Sequence, residues 1–105
     1  MQVVTGYDEI DMLVGKGAII AFEASSWEGP MFLSKPIISE DKKFKVINKY
    51  IDVRRGPPLG SMWNNVPGPM EHLTMYRVRN IVTKKTRKFT TNQGWEFSIS
   101  QVILL

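Results

Sequence analysis

The chain of 105 residues contains no cysteine and only one histidine, His72. The lack of cysteine excludes disulfides, thiol catalysis and cysteine-based zinc sites, and it favours the reducing cytosol. One histidine cannot supply the convergent ligands that a transition metal needs. Because no serine or aspartate stands at a telling position relative to His72, we expect no catalytic residue, no metal site and no cofactor.

Long hydrophobic runs are also missing. The longest are short segments such as Ala18–Phe22, whereas a bilayer-spanning helix needs about 20 apolar residues. The apolar fraction of 43% and the charged fraction of 23% are ordinary for a folded protein. We therefore expect one folded domain over residues 1–105, with no membrane segment and no signal peptide.

The charge is unevenly distributed along the chain. The net charge is +4, but residues 1–40 carry six acids and two lysines, whereas residues 41–105 carry twelve basic residues and four acids. Such asymmetry is typical of a protein whose basic part meets an anionic partner, such as a nucleic acid, a nucleotide or an acidic protein. A solvated basic surface without a partner would give the same pattern.

The N-terminal segment predicts a helix of two to three turns. Thr5 and Asp8 form a Ser/Thr-x-x-Asp/Glu start signal, and Gly15 is well placed as the stop. Apolar residues share one helical face between them: Tyr7, Ile10, Leu13 and Val14.

The rest of the chain predicts a mostly-β domain. Short apolar or alternating runs predict strands at 18–23, 31–34, 44–53, 75–83, 87–91 and 95–100. A turn is predicted at Trp27–Pro30 and a hairpin tip at Thr83–Thr86. Prolines and glycines crowd Arg54–His72, which predicts a long loop without regular structure that binds a partner or is disordered.

Two arginines and three tryptophans are the candidate binding residues. Arg77 and Arg79 lie two apart on a predicted strand, so their side chains leave the same face about 7 Å apart, a spacing that suits phosphates. Trp27, Trp63 and Trp95 all lie next to turns or loops, where a ring can stack on a base for about 1–3 kcal/mol. The alternative is that Trp27 and Trp95 are core anchors and that the arginines form a solvated strand face.

The order of these features resembles a family of small bacteriophage proteins, the second type of anti-Thoeris sponge. The resemblance covers about half of the chain, and its motifs are short. It is carried by Tyr7, Ile10, Leu13, Gly15 or Gly17, Ile19-Ile20, Trp27-Glu-Gly29, Met31-Phe32-Leu33, His72-Leu-Thr-Met75, and Gly94-Trp95 through Ser100-Gln101.

This resemblance implies an α+β fold with one N-terminal helix and a small, strongly bent antiparallel β-sheet, assembled as a homo-oligomer, a dimer or a tetramer. It also implies binding without chemistry: an anti-defence protein in the host cell cytosol that sequesters a cyclic nucleotide or cyclic ADP-ribose-type immune messenger without cleaving it. The ligand-binding residues would be Ser26, Trp27 and Trp95 at the pocket wall, Arg77 and Arg79 at phosphate, and Trp63, Asn64 and Asn65 in a lid.

Two other functions fit the same sequence. One is a small basic β-barrel that binds single-stranded nucleic acid, which predicts affinity that falls steeply with salt. The other is a phage inhibitor that docks onto a host protein through the proline-rich loop.

Overall fold

A computed structural model of the protein describes residues 1–56, 58–61 and 64–105. Within these ranges the chain forms one α-helix, α1 (Tyr7–Leu13), and ten β-strands. The strands are β1 (Gln2–Thr5), β2 (Ile19–Ala21), β3 (Ser26–Glu28), β4 (Lys35–Ile37), β5 (Phe44–Arg55), β6 (Leu59–Ser61), β7 (Asn64–Val66), β8 (Met70–Asn80), β9 (Thr86–Thr90) and β10 (Gln101–Leu104).

Six of the described strands form one antiparallel sheet in the order β1-β10-β2-β5-β8-β9. Two separate hairpins, β3–β4 and β6–β7, complete the strand pairing seen over the described ranges. The expectation of a mostly-β single domain with one short helix near the N-terminus is confirmed. The expectation of a small sheet is wrong, because the sheet gathers six strands from both ends of the chain.

The longest pairing joins β5 to β8, from Phe44 opposite Asn80 to Arg55 opposite Met70. It extends well beyond the shorter neighbouring strands, and the molecule measures 57 × 31 × 23 Å. The β6–β7 hairpin, in which Leu59 pairs with Val66, lies between these two strands in the chain. The prediction of no regular structure over 54–72 is therefore wrong, since the breakers leave room for a short hairpin.

The core lies between α1 and one face of the sheet. The stacked rings of Tyr76 and Phe89, with centroids 4.8 Å apart, lie at its centre, and Phe22 meets Phe89 edge-on at 5.4 Å. The fully buried cluster consists of Val4, Ile10, Val14, Ile20, Val46, Tyr76, Val78, Phe89 and Val102. Burying each large apolar side chain contributes about 1.5–3 kcal/mol, so this cluster is the main stabilising feature of the fold.

Asp11 ties the helix to the sheet. The Tyr76 hydroxyl and the Thr91 hydroxyl both donate to Asp11 Oδ1, at 2.7 and 2.6 Å. Lys49 Nζ donates to the backbone carbonyls of Asp11 and Val14 and so satisfies the end of the helix. Burial, reinforced by the Asp11 carboxylate, raises the pKa of Tyr76 far above its usual range, so the phenol stays a donor.

Three local predictions are corrected. Thr5 lies in β1 and does not cap the helix. Gly6 occupies the cap position instead, with a φ of 107° that favours glycine, and no side chain caps the helix there. The predicted strand at 31–34 is a turn, because the hairpin pairs Trp27 with Pro36 instead. The alternating segment 95–100 forms turns and one isolated bridge from Ser98 to Thr90 rather than a strand.

No helix of the described residues is long and apolar enough to cross a membrane.

Candidate anion-binding site

Four basic side chains line one cavity of about 440 Å³, which we call the cation cavity. They are Lys16, Lys45, Arg79 and Lys84, and the remaining lining is glycine and aliphatic: Gly17, Val46, Ile47 and Ile81. The described lining thus contains no acid to offset the four cations. Such a cavity attracts an anion of small-molecule size.

Strand pairing positions the central two cations. Lys45 on β5 is directly opposite Arg79 on β8, so both side chains leave the same face of the sheet. The register then shifts between Val46 and Asn48, where Ile47 is the extra residue of a bulge. The bulge turns Ile47 into the cavity lining beside the two cations.

Two turns supply the other cations. Lys16 lies in the turn between α1 and β2, which is held to the sheet by the Gly17 N–H donating to the Val46 carbonyl at 2.8 Å. Lys84 lies in the β8–β9 turn with φ at +64°, a conformation that costs a non-glycine residue about 1–2 kcal/mol. The turn nevertheless holds it, because the Asn80 side chain accepts from the backbone N–H groups of Val82 and Thr83.

The basic surface continues along the same face of the sheet. Arg77 on β8 is directly opposite Lys88 on β9, and both side chains are exposed. Lys45, Arg77, Arg79 and Lys88 therefore form a cationic face that runs out of the cation cavity. The ion pairs among the described residues lie elsewhere, joining Lys42 to Glu23, Lys43 to Glu40 and Arg54 to Asp52.

The residues predicted to bind the ligand do not share one cavity within the chain. Arg79 lines the cation cavity and Arg77 lies beside it, on the same face of β8. Trp27 is 58% exposed on the β3–β4 hairpin, with Ser26 beside it, so Trp27 is not the core anchor of the alternative reading. Trp95 is half-buried in a different cavity.

The side chains of the three predicted lid residues cannot be compared with the structure. Trp63 lies outside the described residues, and so does the side chain of Asn64. The side chain of Asn65 is not described either, although its backbone pairs with Gly60 in the β6–β7 hairpin.

Sequence reasoning missed two members of the cation cavity. Neither Lys16 nor Lys45 is among the candidate binding residues that the sequence patterns indicate. Lys84 lies in the predicted hairpin tip, next to the predicted strand that carries Arg79, and it does line the cavity. The missing signal was the β5–β8 register, which sequence alone does not reveal.

Groups for acid–base or metal chemistry are sparse in the described part of the chain. His72 is exposed on the β5–β8 ribbon, opposite Val53. No set of three or more histidine, aspartate or glutamate side chains is grouped to hold a metal ion among the residues that the structure describes. Comparison of the chain with protein-family models, with curated proteins and with solved structures finds no match.

Proposed function

We propose that this protein is a binding protein, not an enzyme, which holds a phosphate-bearing nucleotide ligand in the cation cavity. The observation that carries the proposal is the set of four cations, Lys16, Lys45, Arg79 and Lys84, around a cavity of about 440 Å³ with no acid in its described lining. Cavities of roughly 300–1,000 Å³ suit small ligands.

The chemistry of the lining favours binding over reaction. Arg79 offers a planar fork that matches two phosphate oxygens, and the three lysines add point charges around it. The described lining contains no carboxylate, histidine or hydroxyl group that would act as a general base or nucleophile. We therefore expect this lining to hold a phosphate ester without cleaving it.

The finer proposal is that the ligand is a cyclic nucleotide or cyclic ADP-ribose-type immune messenger. On this account the protein is a phage-type anti-defence sponge that acts in the host cell cytosol. The support is the resemblance of residues such as Trp27-Glu-Gly29 and Met31-Phe32-Leu33 to the sponge family, together with the cation cavity. Sequestration needs affinity and no turnover, which agrees with the lining described above.

We also propose that the protein forms a homo-oligomer, a dimer or a tetramer, through the β3–β4 hairpin. Four of the hairpin's apolar side chains are more than half exposed: Trp27 at 58%, Met31 at 94%, Phe32 at 86% and Leu33 at 65%. A concentration of exposed apolar side chains on one short hairpin is typical of an interaction site. In an oligomer, Ser26 and Trp27 of one subunit would be able to join the cation cavity of another.

Calorimetry with cyclic dinucleotides, cyclic trinucleotides and cyclic ADP-ribose isomers tests the proposal. The expected result is a ligand of nanomolar affinity that is recovered unchanged after heat denaturation of the complex. Recovery of a cleaved product would contradict the non-enzymatic account. If none of these ligands binds, and inorganic phosphate does not bind either, the result would contradict the anion site itself.

The cationic face favours one further candidate, the binding of single-stranded nucleic acid. Arg77 and Lys88 extend the basic surface beyond the cation cavity, which would suit a phosphate backbone. This function predicts affinity that grows with oligonucleotide length and falls steeply with salt. Arg77→Gln/Lys88→Gln should then weaken oligonucleotide binding, whereas the same variant should leave a cyclic nucleotide in the cation cavity almost unaffected.

A further inference from the structure

A second cavity, of about 640 Å³, lies near the opposite end of β8 from the cation cavity. Two aromatic rings, Trp95 and Phe97, line it together with three charged residues, Arg55, Glu71 and Glu96. We call it the tryptophan cavity. Glu71 and Arg79 are eight residues apart on β8, or about 27 Å at the rise of a strand, so one mononucleotide does not span both cavities.

The aromatic wall of the tryptophan cavity is fixed by specific contacts. Trp95 Nε1 donates to Glu71 Oε2 at 3.2 Å, and the Trp95 and Phe97 rings lie 5.8 Å apart at a tilt of 44°. The Arg54 guanidinium lies 5.2 Å from the Phe97 ring and is held by Asp52. A ligand ring would therefore meet side chains that are already ordered, which lowers the entropic cost of binding.

The floor of the cavity is equally constrained. Arg55 Nη1 donates to the Gly68 carbonyl at 3.0 Å, and the N–H of buried Gly56 donates to the Pro69 carbonyl at 2.8 Å. A Cβ at Gly56 would lie 3.4 Å from the carboxyl carbon of Glu71. The backbone thus comes close to the carboxylate and helps to hold it in place.

The charge balance selects the ligand chemistry. Two carboxylates line the cavity among the described residues, and the guanidinium on the face of Glu71 is that of Arg54, which is directly opposite Glu71 and 5.2 Å from the Phe97 ring. The described lining therefore offers no positive excess to a phosphate. The aromatic rings favour a flat partner, the carboxylates accept hydrogen bonds, and the guanidinium donates them. A neutral heterocycle with donors and acceptors on its edge meets all three requirements.

We propose that the tryptophan cavity is a nucleobase site with a preference for guanine. Guanine presents ring N–H and amino donors to a carboxylate such as Glu71, and it presents O6 and N7 acceptors to a guanidinium such as that of Arg54, which is directly opposite Glu71. Its flat face stacks on Trp95 or Phe97. This site is separate from the cation cavity and does not depend on the function proposed for that cavity.

Nucleosides, which carry no phosphate, test this site without engaging the cation cavity. The readout is the indole N–H signal of Trp95 in NMR spectra of the full chain, assigned by its loss in Trp95→Phe. Guanosine should move this signal and bind about tenfold more tightly than uridine. No movement with any of the four nucleosides, equal movement with all four, or movement with tetramethylammonium instead would overturn the proposal.

Glu71→Gln separates recognition from folding. The glutamine oxygen still accepts the Trp95 N–H, but its amide group replaces an acceptor with a donor, so guanosine affinity should fall about tenfold. Glu28→Gln on the exposed β3–β4 hairpin removes the same charge and should leave guanosine affinity unchanged. Equal affinities for the two variants, with both folded by their melting temperatures, would overturn the assignment of Glu71.

Inorganic phosphate makes the two proposals separable. It should leave the Trp95 indole signal in place while perturbing the side chains of the cation cavity. Movement of the Trp95 signal by guanosine, with no perturbation of the cation cavity by phosphate or by any nucleotide, would support the nucleobase site and contradict the proposed function. The reverse result would contradict the nucleobase site alone.

Discussion

Lys45 on β5 and Arg79 on β8 lie directly opposite each other, with both side chains in the cation cavity. A second like-charge pair, Arg77 and Lys88, follows on the same face between β8 and β9. Like charges directly opposite each other in a sheet are destabilising. Two consecutive pairs mean that the unliganded face stores electrostatic repulsion, and a bound anion would relieve it.

Removing one cation of the first pair should stabilise the protein. We expect Lys45→Gln to raise the free energy of unfolding by about 0.2–1 kcal/mol at low salt and by less at high salt, where screening weakens the repulsion. Chemical denaturation at two salt concentrations measures the change. Lys35 on β4 is the matched control: it is directly opposite Glu28, so Lys35→Gln should lower the free energy of unfolding rather than raise it. Equal gains in stability from the two variants would argue against stored repulsion.

The positive φ of Lys84 leads to a second prediction. We expect Lys84→Gly to stabilise the β8–β9 turn by about 1 kcal/mol, because glycine adopts φ of +64° without steric cost. The same variant should weaken anion binding, since it removes a cavity cation. Lys84→Gln removes the charge but keeps the strain, so it should weaken binding and stabilise the fold by less than Lys84→Gly does. A gain in stability from Lys84→Gln as large as from Lys84→Gly would refute the strain at this position.

Tyr76 makes the stability of the protein sensitive to alkaline pH. Burial raises the pKa of Tyr76 in the folded state far above the pKa of about 10 in the unfolded chain. The contribution of Tyr76 to the free energy of unfolding is therefore complete below about pH 10. Above about pH 10 the free energy of unfolding falls, with a slope approaching about 1.4 kcal/mol per pH unit.

Denaturation of the wild type and of Tyr76→Phe between pH 8 and about 11 isolates the effect of Tyr76 ionisation on the free energy of unfolding. The variant should be about 1–2 kcal/mol less stable near neutral pH, because Asp11 loses a donor. The difference between the two proteins should shrink as the pH rises above about 10. A difference that is constant with pH would show that Tyr76 ionises normally in the folded protein.

The exposed hairpin provides a prediction about assembly. Phe32 is 86% exposed and lies in the turn between β3 and β4, so Phe32→Ser should leave the stability of an isolated subunit within about 0.5 kcal/mol of the wild type. If the hairpin is the oligomer interface, light scattering should show a smaller species for the variant. Val82→Ser, also at an exposed apolar turn residue, is the control and should keep the wild-type mass. An unchanged mass for Phe32→Ser would exclude the hairpin as the interface.

Local patterns predicted the parts of the fold that local forces determine. The apolar face from Tyr7 to Val14 predicted a helix of two to three turns, of which about two form, and alternation around Tyr76 and Val78 predicted the strand that pairs with β9. The proline-rich segment was read as structureless, because its breakers obscured the short Leu59–Val66 pairing. The alternation from Trp95 to Ser100 reflects half-buried turn residues, which share a period of two with a strand.

The cation cavity depends on relationships that are not local. Lys16, Lys45 and Lys84 come from three distant segments. The pairing of Lys45 with Arg79, the bulge at Ile47 and the two flanking turns bring them together. Arg77 and Arg79 were identifiable because both lie on one strand. The same limit applies to Trp95, whose hydrogen bond to Glu71 spans 24 positions in the sequence.

The most direct test of the central claim compares two double variants of equal charge. Lys45→Gln/Arg79→Gln removes two cations from the cation cavity, and Lys35→Gln/Lys42→Gln removes two from outside its lining. Calorimetry with the tightest cyclic nucleotide should show a loss of at least about 100-fold for the first variant, since each charged hydrogen bond contributes about 1.5–3 kcal/mol. The second variant should bind with an affinity within about threefold of the wild type, because it loses only the long-range attraction of two distant charges. Similar affinities for the two variants would contradict the claim that this cavity binds the ligand.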